Sequence, residues 1–173
     1  MNFVRLETYK DELYLTSMAL YQKSFPFHEQ RNLDSQREIL NNKEYHFNLI
    51  YDQTNLIGII LYWETQNFIY VEHFCINPEM RNQKYGHRVL ELINQKGKTV
   101  ILEIDPPVNE ISKRRKNFYE RAQYKSNGFK HIHPPYHEGY EGHSLVVMSY
   151  PNKLSEDEYD NFNQYLRRTV MNF

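Results

Sequence analysis

The sequence predicts a single α/β domain over residues 1–173, with a mixed sheet of about six to seven strands flanked by helices. Three observations predict it. The segments YHFNLIYD (45–52), NLIGIILYWET (55–65) and NFIYVEHFCIN (67–77) are rich in β-branched and aromatic residues. Turn residues separate them, Asp52 to Asn55 and then Gln66-Asn67, so they read as an antiparallel meander of three strands. A polar loop follows, then a helix with Val89, Leu90 and Ile93 on one face and Gly97 as its stop. TVILEID (99–105) is a strand again. Strand, loop, helix and strand at this spacing predict a parallel pair with a right-handed crossover. The sheet therefore begins antiparallel and turns parallel at the loop.

The remaining elements fit around that centre. Residues 2–9 supply a first strand, and 12–24 a helix with Leu15, Met18, Ala19 and Gln22 on one face. Pro26 breaks that helix, and a second short one runs from an Asp34 cap through Leu40. Pro106-Pro107 closes the 99–105 strand, and a basic helix spans 111–126. Strands are expected at 128–132 and 144–150. Ser155 and Glu158 form a capping box for a last helix whose buried face is Tyr159, Phe162, Leu166 and Val170.

Composition narrows the function classes. The chain has 21 Lys+Arg against 22 Asp+Glu, a net charge of −1, which gives no footprint for duplex nucleic acid or an anionic membrane. KRRK (113–116) then reads as a solvated helix face. The apolar run from Leu56 to Trp63, interrupted by Gly58, is too short to span a bilayer. Cys75 is the only cysteine, so no intrachain disulfide forms, and the N-terminus lacks a secretory pattern. These observations point to a cytoplasmic protein. The 15 Tyr and 10 Phe suggest half-buried surfaces and core packing with hydroxyls at the rim.

The loop INPEMRNQKYGHRVL (76–90) leaves a strand and opens a helix. Such a loop aims backbone N–H groups at one point, where the helix dipole also favours negative charge. Arg81, Asn82, Gln83 and Lys84 add donors, and Gly86 opens the helix start. On spacing alone the loop is either an anion seat or a plain helix cap.

The neighbourhood resembles the GNAT superfamily of N-acetyltransferases. Ile76-Asn77-Pro78-Glu79-Met80 followed by Arg81-Asn82-Gln83-Lys84-Tyr85-Gly86 is similar to that family's central V-x-P-x-x, R/Q-x-x-G-x-G/A motif. RRKNFYERAQYK resembles its second motif, and HPPYHEGYEGHSLVVMSYP resembles the closing strand pair of one bacterial branch. The likeness covers roughly residues 67 to 151, with the first third weaker. Two departures stand out: Lys84 occupies the place of a glycine, and Gln123-Tyr124 replaces Gly-Phe.

The resemblance implies acetyl-CoA as co-substrate and an amine as acceptor, either a small molecule or a peptide, with a homodimer possible for such a fold. It implies that Arg81, Asn82, Gln83, Lys84, Tyr85, Gly86 and His87 hold the pyrophosphate. Main-chain groups of Phe74, Cys75 and Ile76 would pair with the pantetheine arm and supply an oxyanion donor. It points to Tyr119 as the acid that protonates the leaving thiolate, with Tyr124 as a competing register. The HPPY segment lies near the acceptor pocket in the resembling branch.

For the base, Glu72 stands out in an otherwise apolar strand. By the two-residue period it shares a face with Phe74 and Ile76, and apolar surroundings would raise its pKa. The other reading is a carboxylate paired with a cation on an adjacent strand. His73, on the opposite face, is second choice. His131, His133, His137 and His143 crowd a short stretch without paired cysteines or an H-x₃-H helix, so no metal site is expected. Glu29, Phe25 and Phe27 of SFPFHEQR either hold a cationic amine or form a proline-broken helix end tucked into the core.

Overall fold

The computed structural model describes residues 1–173. Eight strands are present: β1 (Asn2–Leu6), β2 (Tyr45–Asp52), β3 (Asn55–Glu64), β4 (Phe68–Ile76), β5 (Thr99–Ile104), β6 (Lys125–Ser126), β7 (His131–His133) and β8 (His143–Tyr150). The sheet runs β1-β2-β3-β4-β5-β8-β6, with β7 also paired to β8. All ladders are antiparallel except β4–β5, which is parallel from Phe68↔Thr99 to Val71↔Leu102. The predicted mixed sheet and its parallel pair are thus present. The strand expected at 128–132 differs: the chain touches β8 in two short pieces, 125–126 and 131–133, which raises the count to eight.

Helices cover both faces. On one side lie α1 (Glu12–Ser24), α2 (Leu33–Ile39) and α5 (Glu156–Tyr165). Tyr14, Met18 and Tyr21 of α1, Ile39 of α2 and Phe162 of α5 pack there against Phe47, Leu49, Ile59, Leu61 and Trp63. On the other side α3 (Tyr85–Asn94) buries Val89, Leu90 and Ile93 completely, beside Ile60, Tyr62 and Val71. Each such aliphatic contributes about 1.5–3 kcal/mol of burial. α4 (Glu110–Arg121) packs alongside, capped by Asn109 and Ser112.

The α1 face is rotated from the expected one: Leu15 is 77% exposed, because Tyr14, Ser17, Met18 and Tyr21 form the buried stripe. α2 is capped by Asn32, not Asp34. α4 stops at Arg121 rather than 126, since Gln123 takes φ 70° and turns the chain into β6. The Ser155–Glu158 capping box forms, and Phe162, Leu166 and Val170 are fully buried. No helix is long and apolar enough to cross a membrane.

Candidate active site

The cleft begins where the parallel pair ends. β4 and β5 hydrogen-bond as far as Val71↔Leu102, and beyond it β4 continues to Ile76 while β5 stays paired with β8 on its other edge only. The two strands splay, leaving the β5-side edge of 72–76 without a ladder partner. A cleft of about 750 Å³ opens there. Gly58 brings β3 close behind it, since a Cβ at that position would lie 2.2 Å from the Cys75 carbonyl oxygen. Phe74, Cys75 and Ile76 all line the cleft, and burial pushes the Cys75 thiol up, away from reactivity.

The loop between β4 and α3 forms one end. Arg81, Asn82, Lys84, Tyr85, Gly86 and His87 line the cleft, whereas Gln83 does not. Arg81 is held by its Nε–H, which donates to the Ile76 carbonyl at 3.3 Å. Helix α3 starts without a side-chain cap, and its first intrahelical bond is Arg88 N–H to Lys84 O. The amides of Tyr85, Gly86 and His87 are therefore unclaimed by the helix and available to an anion. Asn82 and Lys84 take φ 64° and 62°. Lys84, standing where the resemblance expects glycine, adopts the backbone conformation that glycine serves, and so does Gln123. Gly86 has a packing reason: a Cβ there would lie 2.9 Å from Phe118 Cζ of α4.

The two tyrosines separate cleanly. Tyr119 lines the cleft, and burial pushes its hydroxyl up to about 12 against the opposing pull of Arg115. Tyr124 lies outside, its hydroxyl donating to Asn94 Oδ1 at 2.9 Å, and burial raises it as well.

Glu72 is not in the surroundings the sequence suggested. A bulge pairs Leu61↔His73 and then Tyr62↔Val71, so Glu72 is the extra residue and the two-residue period breaks. Glu72 and His73 consequently both point to the α1 side, away from the side where Phe74 and Ile76 pack. The Glu72 carboxylate meets the Arg31 guanidinium at 2.9 Å and accepts from Trp63 Nε1–H at 2.8 Å and the Tyr136 hydroxyl at 2.9 Å. Burial alone would raise this carboxyl. The Arg31 charge, with His73 and these hydrogen bonds, outweighs burial and holds it below its ordinary range. The cation comes from the loop after α1, not from an adjacent strand.

His73 donates from Nε2 to the Glu29 carbonyl at 2.8 Å, while its Nδ1 is buried without a partner, 3.9 Å from Glu72. Burial lowers its pKa despite that carboxylate.

The rest of the cleft is walled by residues far apart in sequence, among them Glu29, Glu103, Asp105, His133, Tyr136 and His143. Glu103 is buried and takes hydrogen bonds from Tyr70 and His131, with His133 at 3.8 Å. His133 Nδ1–H donates to the Pro134 carbonyl, and His137 Nε2–H to the Phe27 carbonyl. Three of the clustered histidines, His131, His133 and His137, thus bond carbonyls, one carboxylate and the Tyr159 hydroxyl, while His143 Nε2 is buried without a partner. Arg31, Glu103 and Asp105 were not singled out by sequence reasoning. Nothing local marks them, because each matters only through a partner ten or more residues away.

A family model described as "Acetyltransferase (GNAT) domain" matches residues 6–150. A solved structure of a GNAT-family protein from Bacteroides thetaiotaomicron is 34% identical, and the likeness covers 100% of this chain and 99% of that one at a TM-score of 0.92. An aminoglycoside 6'-N-acetyltransferase complexed with coenzyme A shares the fold at 17% identity, over 86% of this chain and 96% of that one, with a TM-score of 0.57. YjbC of Bacillus subtilis (strain 168) is 21% identical over 103 residues, 58% of this chain, so the match spans about half (52%) of that curated relative.

Proposed function

Because this chain belongs to the GNAT acetyltransferase family, we propose that it moves an acetyl group from acetyl-CoA to a primary amine by direct attack. The carrying observation is that one cleft joins three things: the unclaimed α3 amides beside Arg81 and Lys84, the unpaired edge of β4, and Tyr119. The coenzyme-A complex of a fold neighbour supports the choice of donor. In this reading the pyrophosphate sits on the 81–87 loop, where free N–H groups and two cations converge. The pantetheine arm adds to β4 like another strand, and an N–H within 74–76 receives the oxyanion.

Tyr119 gives its proton to the leaving thiolate, a role consistent with a hydroxyl that stays protonated at neutral pH. Glu72, expected from the sequence to take the amine proton directly or through water, serves instead to hold Arg31 and Tyr136 in the acceptor wall. Its side chain is 0% exposed and already balanced by a cation. A second reading is a CoA-binding regulatory module without turnover, suggested by Lys84 and Gln123-Tyr124 standing where the resemblance expects glycine and Gly-Phe. The left-handed backbone of Lys84 and Gln123 favours the enzyme, because the loop and helix end keep the shape glycine would give.

The test is the melting temperature with and without acetyl-CoA, followed by CoA thiol release with a panel of amines. Ligand at 100–1,000 times its dissociation constant adds about 2.7–4.1 kcal/mol, a shift of several degrees. Changing both Arg81 and Lys84 to alanine should shrink that shift. No shift with the wild-type protein would remove the loop as a phosphate seat and the reaction built on it.

A further inference from the structure

We propose that Glu29 is the residue that meets the incoming amine, binding its ammonium form and taking its proton before attack. The inference rests on the acetyl-transfer reading above and fills the role that Glu72 leaves open.

Four carboxylates line the cleft: Glu29, Glu72, Glu103 and Asp105. Three are already engaged. Glu72 holds Arg31, Trp63 and Tyr136, while Glu103 holds Tyr70 and His131. Asp105 is bound by Arg115 at 2.5 Å. Glu29 accepts no hydrogen bond, and its one contact with a basic side chain within 4 Å is His28 Nε2 at 3.7 Å. A proton acceptor must also be reachable. The Glu29 side chain is 38% exposed, against 0% for Glu72 and 6% for Glu103.

The backbone under Glu29 is fixed. It ends a single 3₁₀ turn, Phe27–Glu29, whose carbonyls are gripped by two imidazoles. His73 Nε2–H donates to the Glu29 carbonyl at 2.8 Å, and His137 Nε2–H to the Phe27 carbonyl at 3.0 Å. Those bonds assign the proton to Nε2 in both rings, since a carbonyl oxygen only accepts. On either side, Gln30 Nε2–H donates to the Phe25 carbonyl at 2.6 Å and Arg31 N–H to the Tyr21 hydroxyl at 3.0 Å. An unengaged carboxylate on a pinned turn, tied through His73 to the very strand whose edge is unpaired, is a preorganised receiver of an amine. Its electrostatic neighbours come from every side: Asp105 after β5, Arg115 of α4, His143 of β8 and its own neighbour His28. Burial first and the Asp105 charge second raise its carboxyl, strengthening it as a base.

The protons balance. The bound ammonium gives one proton to Glu29 and becomes a free amine, whose lone pair forms the C–N bond at the thioester carbonyl. The C–S bond breaks, and the thiolate takes the Tyr119 proton. The surplus N–H proton of the new amide returns to the tyrosinate, and Glu29 releases its own to water.

The experiment measures CoA thiol release by the full-length protein with a monoamine, a diamine, an amino sugar and a peptide α-amine. Glu29→Gln and Glu29→Asp are then compared on the amine turned over fastest. Glu29→Gln is expected to lower kcat/KM by about 100-fold or more and to abolish the acid limb of its pH profile. Glu29→Asp should retain that limb, and both variants should keep the acetyl-CoA melting shift. A Glu29→Gln variant with wild-type rate and pH profile overturns the assignment and leaves acetyl transfer standing. Loss of the acetyl-CoA shift in Glu29→Gln also overturns it, because the residue would then serve the fold. A wild-type protein that turns over no amine removes the acetyl-transfer reading, and this one with it.

Discussion

Arg31 and Glu72 meet at 2.9 Å with only 2% and 0% of their side chains exposed, an ion pair sealed in the wall of the cleft. Arg31 also donates to the Val170 carbonyl at 2.6 Å and lies over the rings of Trp63 and Tyr136. One guanidinium thereby ties the loop after α1 to the bulge of β4 and to the C-terminal end of the chain.

Removing one partner leaves a buried charge unpaired, which costs about 3–5 kcal/mol. Arg31→Met and Glu72→Gln should each destabilise strongly in urea unfolding, and the double variant by clearly less than their sum. Additive effects would mean the two residues act independently.

Tyr119→Phe should lower kcat by about 100-fold or more while the acetyl-CoA melting shift persists. Tyr124→Phe should leave kcat alone and lose about 1 kcal/mol, the worth of its bond to Asn94. The opposite pattern would transfer the acid to Tyr124.

Gly86→Ala sets a methyl against the Phe118 ring, an overpacking worth roughly 1–3 kcal/mol. Its melting temperature and acetyl-CoA shift should both fall, and Phe118→Leu in the same chain should restore part of each. A fully tolerated Gly86→Ala would show that α4 yields easily.

Gln123 holds φ 70° at the end of α4 without being glycine. The left-handed penalty for such a residue is about 1–2 kcal/mol, partly offset by glycine's greater freedom in the unfolded chain. Gln123→Gly should therefore raise stability by roughly 0.5–1 kcal/mol. Unchanged or lower stability would mean that the glutamine side chain compensates.

Stability against pH should show two opposing carboxylates. Glu72, held low, contributes stability that is complete above the ordinary glutamate pKa and is lost as pH falls through its depressed folded value. Glu29, held high, behaves in reverse: the fold favours its protonated form, so the neutral Glu29→Gln should melt higher at pH 7 than wild type. Converging melting temperatures as pH falls below the ordinary range would support this, and a lower-melting Glu29→Gln at pH 7 would contradict it.

The sequence by itself determined the order of elements, the antiparallel-to-parallel change, the faces of α3 and α5 and the loop that opens α3. These are local matters, because period, turn residues and caps act within a few positions. Motif order also pointed to Tyr119 and to the 81–87 loop, and all of these residues except Gln83 line one cleft. Only the tertiary structure decided which partners the carboxylates meet. The β4 bulge at Glu72 shifts the alternation by one residue, and no period within the strand announces it. Glu72 keeps the face of Phe68 and Tyr70, while the shift turns Phe74 and Ile76 to the other side; on its own face Glu72 meets a guanidinium forty-one positions earlier, where pairing outweighs burial. Glu29 reaches the cleft because His73 and His137, distant in sequence, hold its turn there. A side chain's identity is written in the chain, but its charge state and availability depend on which partners folding brings within a few ångströms.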